Sequence, residues 1–304
     1  HLGAVQILKK IGGPNFDFVK AALLDHAQLL SVMRDFRPEV VIHFAALAYV
    51  GESVHEPCRY WTNNTMGSLS LLDAMRRCGA HRIVFSSTCA TYGTPAPAHL
   101  PITERCPQTP INPYGRSKLA VEQALLDSCG SREWPELGVA LLRYFNVAGS
   151  DPQGRLGEDH RPETHLVPIC LEVALGQRER VEVFGGDYPT PDGTCVRDYV
   201  HVTDLVDAHR SALERVAPGT ALIANIGIGR GFSVREVIDS CRRVTGAAIP
   251  HRDAPRREGD PAELFSDPGE AHRLLKWSPR FTSLDETVAT AWHWRRAHPH
   301  GYAE

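Results

Sequence analysis

No apolar run in this sequence is long enough to cross a bilayer. The longest, VVIHFAALAYV at 40–50, is interrupted by a histidine, and no signal-peptide hydrophobic region stands at the visible N-terminus. A soluble, cytoplasmic protein with no membrane partner is expected. No basic run is interleaved with aromatics, and a net charge of −3 with a pI near 6.6 gives no general attraction to phosphate backbones, so a nucleic-acid partner is not expected either. Eight cysteines are present without any C-x-x-C pair, which argues against a zinc knuckle or a disulfide framework and for a reducing compartment. H-E-x-x-H and G-x-S-x-G are both missing. Glu158, Asp159, His160 and Glu163 therefore read as a solvated loop, and no metal is expected. Repeats, heptads and low-complexity tails are absent as well.

Lysine is also rare, with five in 304 residues. In INPYGRSKLAVEQALL one of them, Lys118, lies one helical turn after Tyr114, a spacing that chance produces well under once in a chain of this composition. A phenol has an ordinary pKa near 10 and serves as a base at neutral pH only with positive charge beside it, which a lysine four residues on can supply. Outside any further context the pair is equally two polar residues on a helix face.

At 304 residues the chain can bury a large core in one domain or two. Helical periodicity at 24–37, with Asp25 as a cap, ends before Pro38 and is followed by the apolar strand Val40–Phe44. Helices are read at 66–78 and 114–126, and strands at 82–86 and 139–145. Short buried strands separated by helices of about a dozen residues indicate parallel pairing, hence an α/β, doubly wound sheet in the first half. The later half reads differently: a polar loop after Asn146, helices at 166–176, 202–216, 233–245 and 284–296, a short strand at 181–184, and a turn-rich insertion GGDYPTPDGTCVRDY. The glycines of IGGPNF follow no buried strand and read as an ordinary turn.

Several stretches, in one order along essentially the whole chain, carry a resemblance: VVIHFAALAYVGESVHEP, VFSSTCATYG, INPYGRSK, LRYFNVAGSDPQGRLGED, DYPTPDGTCVRDYVHVTDLVDAH, PRREGD and WHWRRAHPHGY. The sequence resembles the UDP-glucose 4-epimerases of the extended short-chain dehydrogenase type and is similar to the UDP-arabinose (UDP-xylose) 4-epimerases. That resemblance implies a Rossmann-type NAD-binding part over 1–148 and a mainly UDP-sugar-binding part over 149–304, with some segments returning to the first. It implies a homodimer as well. Members of this family begin with a strand and a G-x-x-G-x-x-G turn, whose backbone approaches the dinucleotide pyrophosphate. His1 matches a histidine just beyond that segment, so a truncated N-terminus and weakened NAD binding are expected. Ala22, where relatives carry an acid, and Ala48, where many carry lysine, point the same way.

The same resemblance assigns roles. Tyr114, Lys118 and Thr88 stand at the catalytic positions, Thr88 where many relatives have serine, its hydroxyl able to bridge to the sugar O4. Ala45, Ala46, Leu47, Asn64, Lys118 and Tyr144 stand around the cofactor. Thr88, Asn146, His165 (in place of a common asparagine), Leu166, Arg197, Arg257, Asp260 and Leu264 stand around the substrate: the two arginines for the diphosphate and Asp260 for the uridine ribose. Leu264 occupies a position that is a bulky tyrosine in relatives restricted to unacetylated sugars, and so implies room for a 2-acetamido group. The expected reaction is reversible NAD-dependent epimerisation at C4 of a UDP-sugar through a 4-keto sugar, with UDP-glucose/UDP-galactose first and UDP-arabinose/UDP-xylose second. An inactive UDP-sugar-binding module is the reading from a different class. The 4,6-dehydratases fit less well, since STCA has no acid beside its threonine.

Overall fold

The computed structural model describes residues 2–257 and 259–302. Its helices are α1 Leu2–Gly12, α2 His26–Phe36, α3 Val50–His55, α4 Pro57–Tyr60, α5 Gly67–Cys78, α6 Pro113–Ser128, α7 Leu166–Ala174, α8 Val202–Arg215, α9 Val234–Thr245 and α10 Leu284–Ala297. Its strands are β1 Val41–His43, β2 Arg82–Thr88, β3 Gly138–Tyr144, β4 Asn146–Ala148, β5 Val181–Phe184, β6 Val196–His201, β7 Ala221–Ile226, β8 Gly231–Ser233, β9 His251–Ala254 and β10 Glu263–Leu264.

Alternation along two apolar strands builds the first sheet. Ile83, Phe85, Val139 and Leu141 face Met33 of α2, Leu71, Leu72 and Met75 of α5, and Val121 and Leu125 of α6. Val84, Ala140 and Leu142 face the other way, onto Leu205, Ala208 and Ala212 of α8 with Leu275 and Trp277. Strands buried on both faces are continuously apolar and pair in parallel, because the helices that cover them are also their crossovers. The order is β1-β2-β3-β7, all parallel. This is the doubly wound α/β architecture expected from the sequence, and in such sheets ligands sit outside the carboxyl ends of the strands.

A second sheet has the order β10-β6-β4, with β8 antiparallel to β6, and β5 pairs with β9. These elements, with α7, α9 and α10, enclose a separate core around Val183, Phe232, Ile238 and Val288. Here the sequence reading needs correcting: the end of the turn-rich insertion is not a loop. Val196–His201 forms β6, buried throughout, the strand to which three others attach. Glycine and proline clustered before it hide a strand that carries a charged pair, Arg197-Asp198, where alternation would place apolar residues. Asp198 is retained there because Ser266 and the backbone N–H groups of Ile228, Gly229 and Ser266 all donate to its carboxylate, at 2.7–3.1 Å. Among the described residues no helix is long and apolar enough to cross a membrane.

Candidate active site

Asn112 opens the site by capping α6: its side chain accepts from the Gly115 N–H at 2.8 Å, and Pro113 follows at the first helical position. From that start Tyr114, Lys118 and Glu122 succeed one another at four-residue intervals along one face, and all three are buried. The phenol of Tyr114 lies at the carboxyl end of β2, where burial raises its pKa and a hydrogen bond with Thr88 offsets only part of that rise. Thr88 also caps the 3₁₀ turn Cys89–Tyr92, accepting from the Ala90 N–H at 3.1 Å, and sits opposite Tyr144 in the strand register. Both the capping and the Tyr114-directed functions thus fall to one hydroxyl.

In the chain by itself both members of the pair resist charge. Burial raises the Tyr114 phenol well above its ordinary value, with Tyr144, Cys89 and Tyr60 adding to the rise. The lysine is lowered in turn, to about 7, by burial and against the attraction of Glu122. Its ammonium stands 4.5 Å over the ring of Phe85. Desolvation outweighs a single nearby lysine when both groups are inside the protein, so further positive charge must arrive before the phenol ionises.

Beneath these residues lies a buried network that no sequence signal announced. Glu122 and Arg143 form a bidentate pair at 2.7–3.2 Å; Ser87 donates to the carboxylate, Gln108 bridges both partners, and the guanidinium also donates to the Tyr92 hydroxyl at 3.0 Å. Every strong donor and acceptor is matched, the condition under which a buried pair fixes geometry. An arginine inside the apolar run VALLRYF was the one available hint.

Ala45, Ala46 and Leu47 leave the carboxyl end of β1, with Ala45 exposed and the other two partly so. Asn64, in the π turn Trp61–Met66, reaches them: its amide accepts from the Leu47 N–H at 2.8 Å and donates to the Leu47 carbonyl at 3.0 Å. Its second N–H goes to Ser117 and its second lone pair to Asn63. The carboxamide is saturated by the chain, so Asn64 fixes the position of the loop after β1.

On the substrate side the structure brings Arg197 and Asp260 together, which the separate roles assigned to them did not foresee. The Arg197 guanidinium ion-pairs with Asp260 and donates to the carbonyls of Val196, Pro261 and Ala262. Burial and a ring of acceptors make it a brace between β6 and residues 260–262. Arg257 is exposed and stacks at 3.9 Å over Phe184. Leu264 is not at an open wall but buried with Cys89, Tyr92, Ile102, Cys106 and Phe145, directly behind the Thr88 turn. Asn146 begins β4, and Leu166 begins α7 with its side chain against the second core. His165, the N-cap residue of α7, is drawn away into a group with Glu158, His160 and Glu163.

The donors present fit a dinucleotide at the strand ends. Among the described residues no carboxylate lies within ion-pair distance of the buried Lys118, and the exposed Phe44 and Ala45 offer an apolar edge beside small side chains. A ribose diol can accept from the first, and a flat ring can cover the second.

Residues 3–227 match the model of the NAD dependent epimerase/dehydratase family. The chain is 49% identical over 287 residues to a UDP-glucose 4-epimerase of Halalkalibacterium halodurans, covering 94% of this chain and 84% of that one. It is 44% identical to a probable UDP-arabinose 4-epimerase of Oryza sativa subsp. japonica, over 99% of this chain and 75% of that one. The crystal structure of a UDP-glucose 4-epimerase from Bifidobacterium longum, in complex with NAD+ and UDP, superposes with a TM-score of 0.93 at 38% identity, covering 98% of this chain and 88% of that one.

Proposed function

Because this chain belongs to the NAD-dependent epimerase/dehydratase family, we propose that it interconverts the C4 epimers of a UDP-sugar, with UDP-glucose and UDP-galactose as the principal pair. The observation that carries this reading is the contact between Tyr114 and Thr88 at the carboxyl end of β2, with Lys118 buried one helical turn further along α6 over Phe85, together with relatives named for that reaction. NAD, when bound, supplies the hydride acceptor at C4 and the cationic ring that the phenol otherwise lacks.

The chain's own residues do the rest. Tyr114 takes the proton of the sugar 4-hydroxyl and returns it to the 4-keto sugar, which must present its other face before it is reduced again. Thr88 holds O4 through the hydroxyl it already directs at Tyr114. Lys118 donates to the cofactor ribose and, once charged, favours the phenolate. Arg257 meets the diphosphate, with Asn146 and Leu166 lining the nucleotide-sugar, while Ala45, Ala46, Leu47 and Tyr144 flank the dinucleotide. Residues 1–148 constitute mainly the cofactor part and 149–304 mainly the substrate part, with β7 returned to the first sheet. The 44%-identical arabinose relatives support a second substrate pair, UDP-arabinose/UDP-xylose. A cytoplasmic homodimer completes the reading; eight free cysteines suit a reducing compartment.

Incubation of the purified chain and NAD with UDP-galactose or with UDP-arabinose, followed by chromatographic separation of the epimers, tests it. Conversion of UDP-galactose to UDP-glucose is expected; conversion of the pentose alone would transfer the assignment to the second pair, and conversion of neither would refute it.

A further inference from the structure

Four side chains outside the catalytic group converge on one point. Nδ1 of His160 and Nδ1 of His165 each lie 3.0 Å from the same oxygen of Glu158, and Glu163 approaches them at 3.8 and 2.8 Å. The two imidazole rings are 5.0 Å apart, and one ligand atom from each of the four residues falls within 4.8 Å of all the others. Donors around a tetrahedral zinc ion, at about 2.0–2.2 Å from the metal, stand about 3.3–3.6 Å from one another. The separations found here fall on both sides of that value.

We propose that Glu158, His160, Glu163 and His165 form a binding site for one divalent transition-metal ion of the zinc type. Two imidazoles and two carboxylates are a donor set suited to zinc or cobalt and unsuited to calcium or magnesium, which take oxygen alone. Charge agrees with the assignment. Two carboxylates with two neutral imidazoles balance the charge of one divalent ion.

The donors are carried on a braced segment. Tyr302 both donates to the Gly157 carbonyl and accepts from the Gly157 N–H, at 2.9 Å, and its own N–H meets Asp159 at 3.0 Å. At the other end the backbone N–H groups of Thr164 and His165 donate to Glu163, and α7 begins immediately after. A site held at both ends loses little freedom when it closes on an ion. Bound metal would tie the loop after β4 to the start of α7.

Equilibrium dialysis of the purified full chain against zinc chloride, and separately against cobalt(II) chloride, tests the proposal. One ion per chain should be retained. The cobalt form should show the visible bands of a four-coordinate nitrogen/oxygen site without the near-ultraviolet thiolate band that any cysteine ligand would add. Replacing exposed Cys58 by serine should change nothing, whereas His160→Gln, at a half-exposed ring, should weaken retention by about tenfold or more. The double variant His160→Gln/His165→Asn should abolish the cobalt bands while its circular dichroism and melting curve remain those of a folded chain. Failure of the folded parent chain to retain an ion, a thiolate band in the cobalt spectrum, or undiminished retention by His160→Gln would each overturn the site.

Discussion

Tyr114 and Lys118 are legible in the sequence as a pair, yet their electrostatics are not, because a spacing says nothing of depth. Both lie in the low-dielectric interior, where each resists its charge. Lys118 releases its proton near pH 7 in the folded chain, against an ordinary lysine value of 10.5. Between those values the unfolded chain holds a proton that the folded chain has lost, so this residue makes stability rise with pH over that window and withdraws the gain as pH falls through 7. Lys118→Met should therefore raise the stability of the cofactor-free chain at pH 7 by about 1–4 kcal/mol and flatten its pH dependence between 7 and 10 relative to the parent, while epimerase activity falls. Urea melts at several pH values check both signs. A lysine kept where it weakens the fold is explained by what it does when cofactor is bound.

At the scale of elements, α5 and α6 are readable from their apolar periodicity, but the π turn that precedes α5 is not. Asn64 sits there and closes a two-way hydrogen-bonded pair with Leu47, much as a neighbouring strand would. Asn64→Ala leaves the Leu47 amide and the Ser117 hydroxyl without that partner and should cost about 1–3 kcal/mol in stability. Cofactor affinity should fall along with it, by loosening of Ala45–Leu47, and isothermal titration with NAD measures that loss. Glu122 and Arg143 escaped sequence reading for a related reason. They lie 21 positions apart on different elements, and nothing in either neighbourhood specifies a partner. β6 escaped because its charged pair breaks alternation; the partners that make the charges tolerable, donors at 228–229 and 266 for Asp198 and acceptors at 260–262 for Arg197, lie far along the chain.

Over the whole molecule, two cores are joined where the site lies. Leu264 belongs to β10, at the edge of the second sheet, yet packs against Cys89, Tyr92 and Phe145 behind the catalytic turn. The sequence places it in the sugar pocket by resemblance; the structure makes it part of the seam that sets how far β10 stands from Thr88. Leu264→Tyr introduces a ring into a filled space and should destabilise the chain by about 1–3 kcal/mol. It should also lower turnover of UDP-N-acetyl hexoses more than that of UDP-galactose, because the displaced seam narrows the sugar side. Equal loss on both substrates would mean the residue serves packing alone.

The account rests on proton transfer at one phenol, and the Tyr114→Phe variant tests that most directly. With NAD present and the melting curve unchanged or raised, its rate of UDP-galactose conversion should drop by about 10²–10⁴-fold while UDP-sugar binding persists. A folded, substrate-binding Tyr114→Phe chain that epimerises at the parent rate would contradict the assignment.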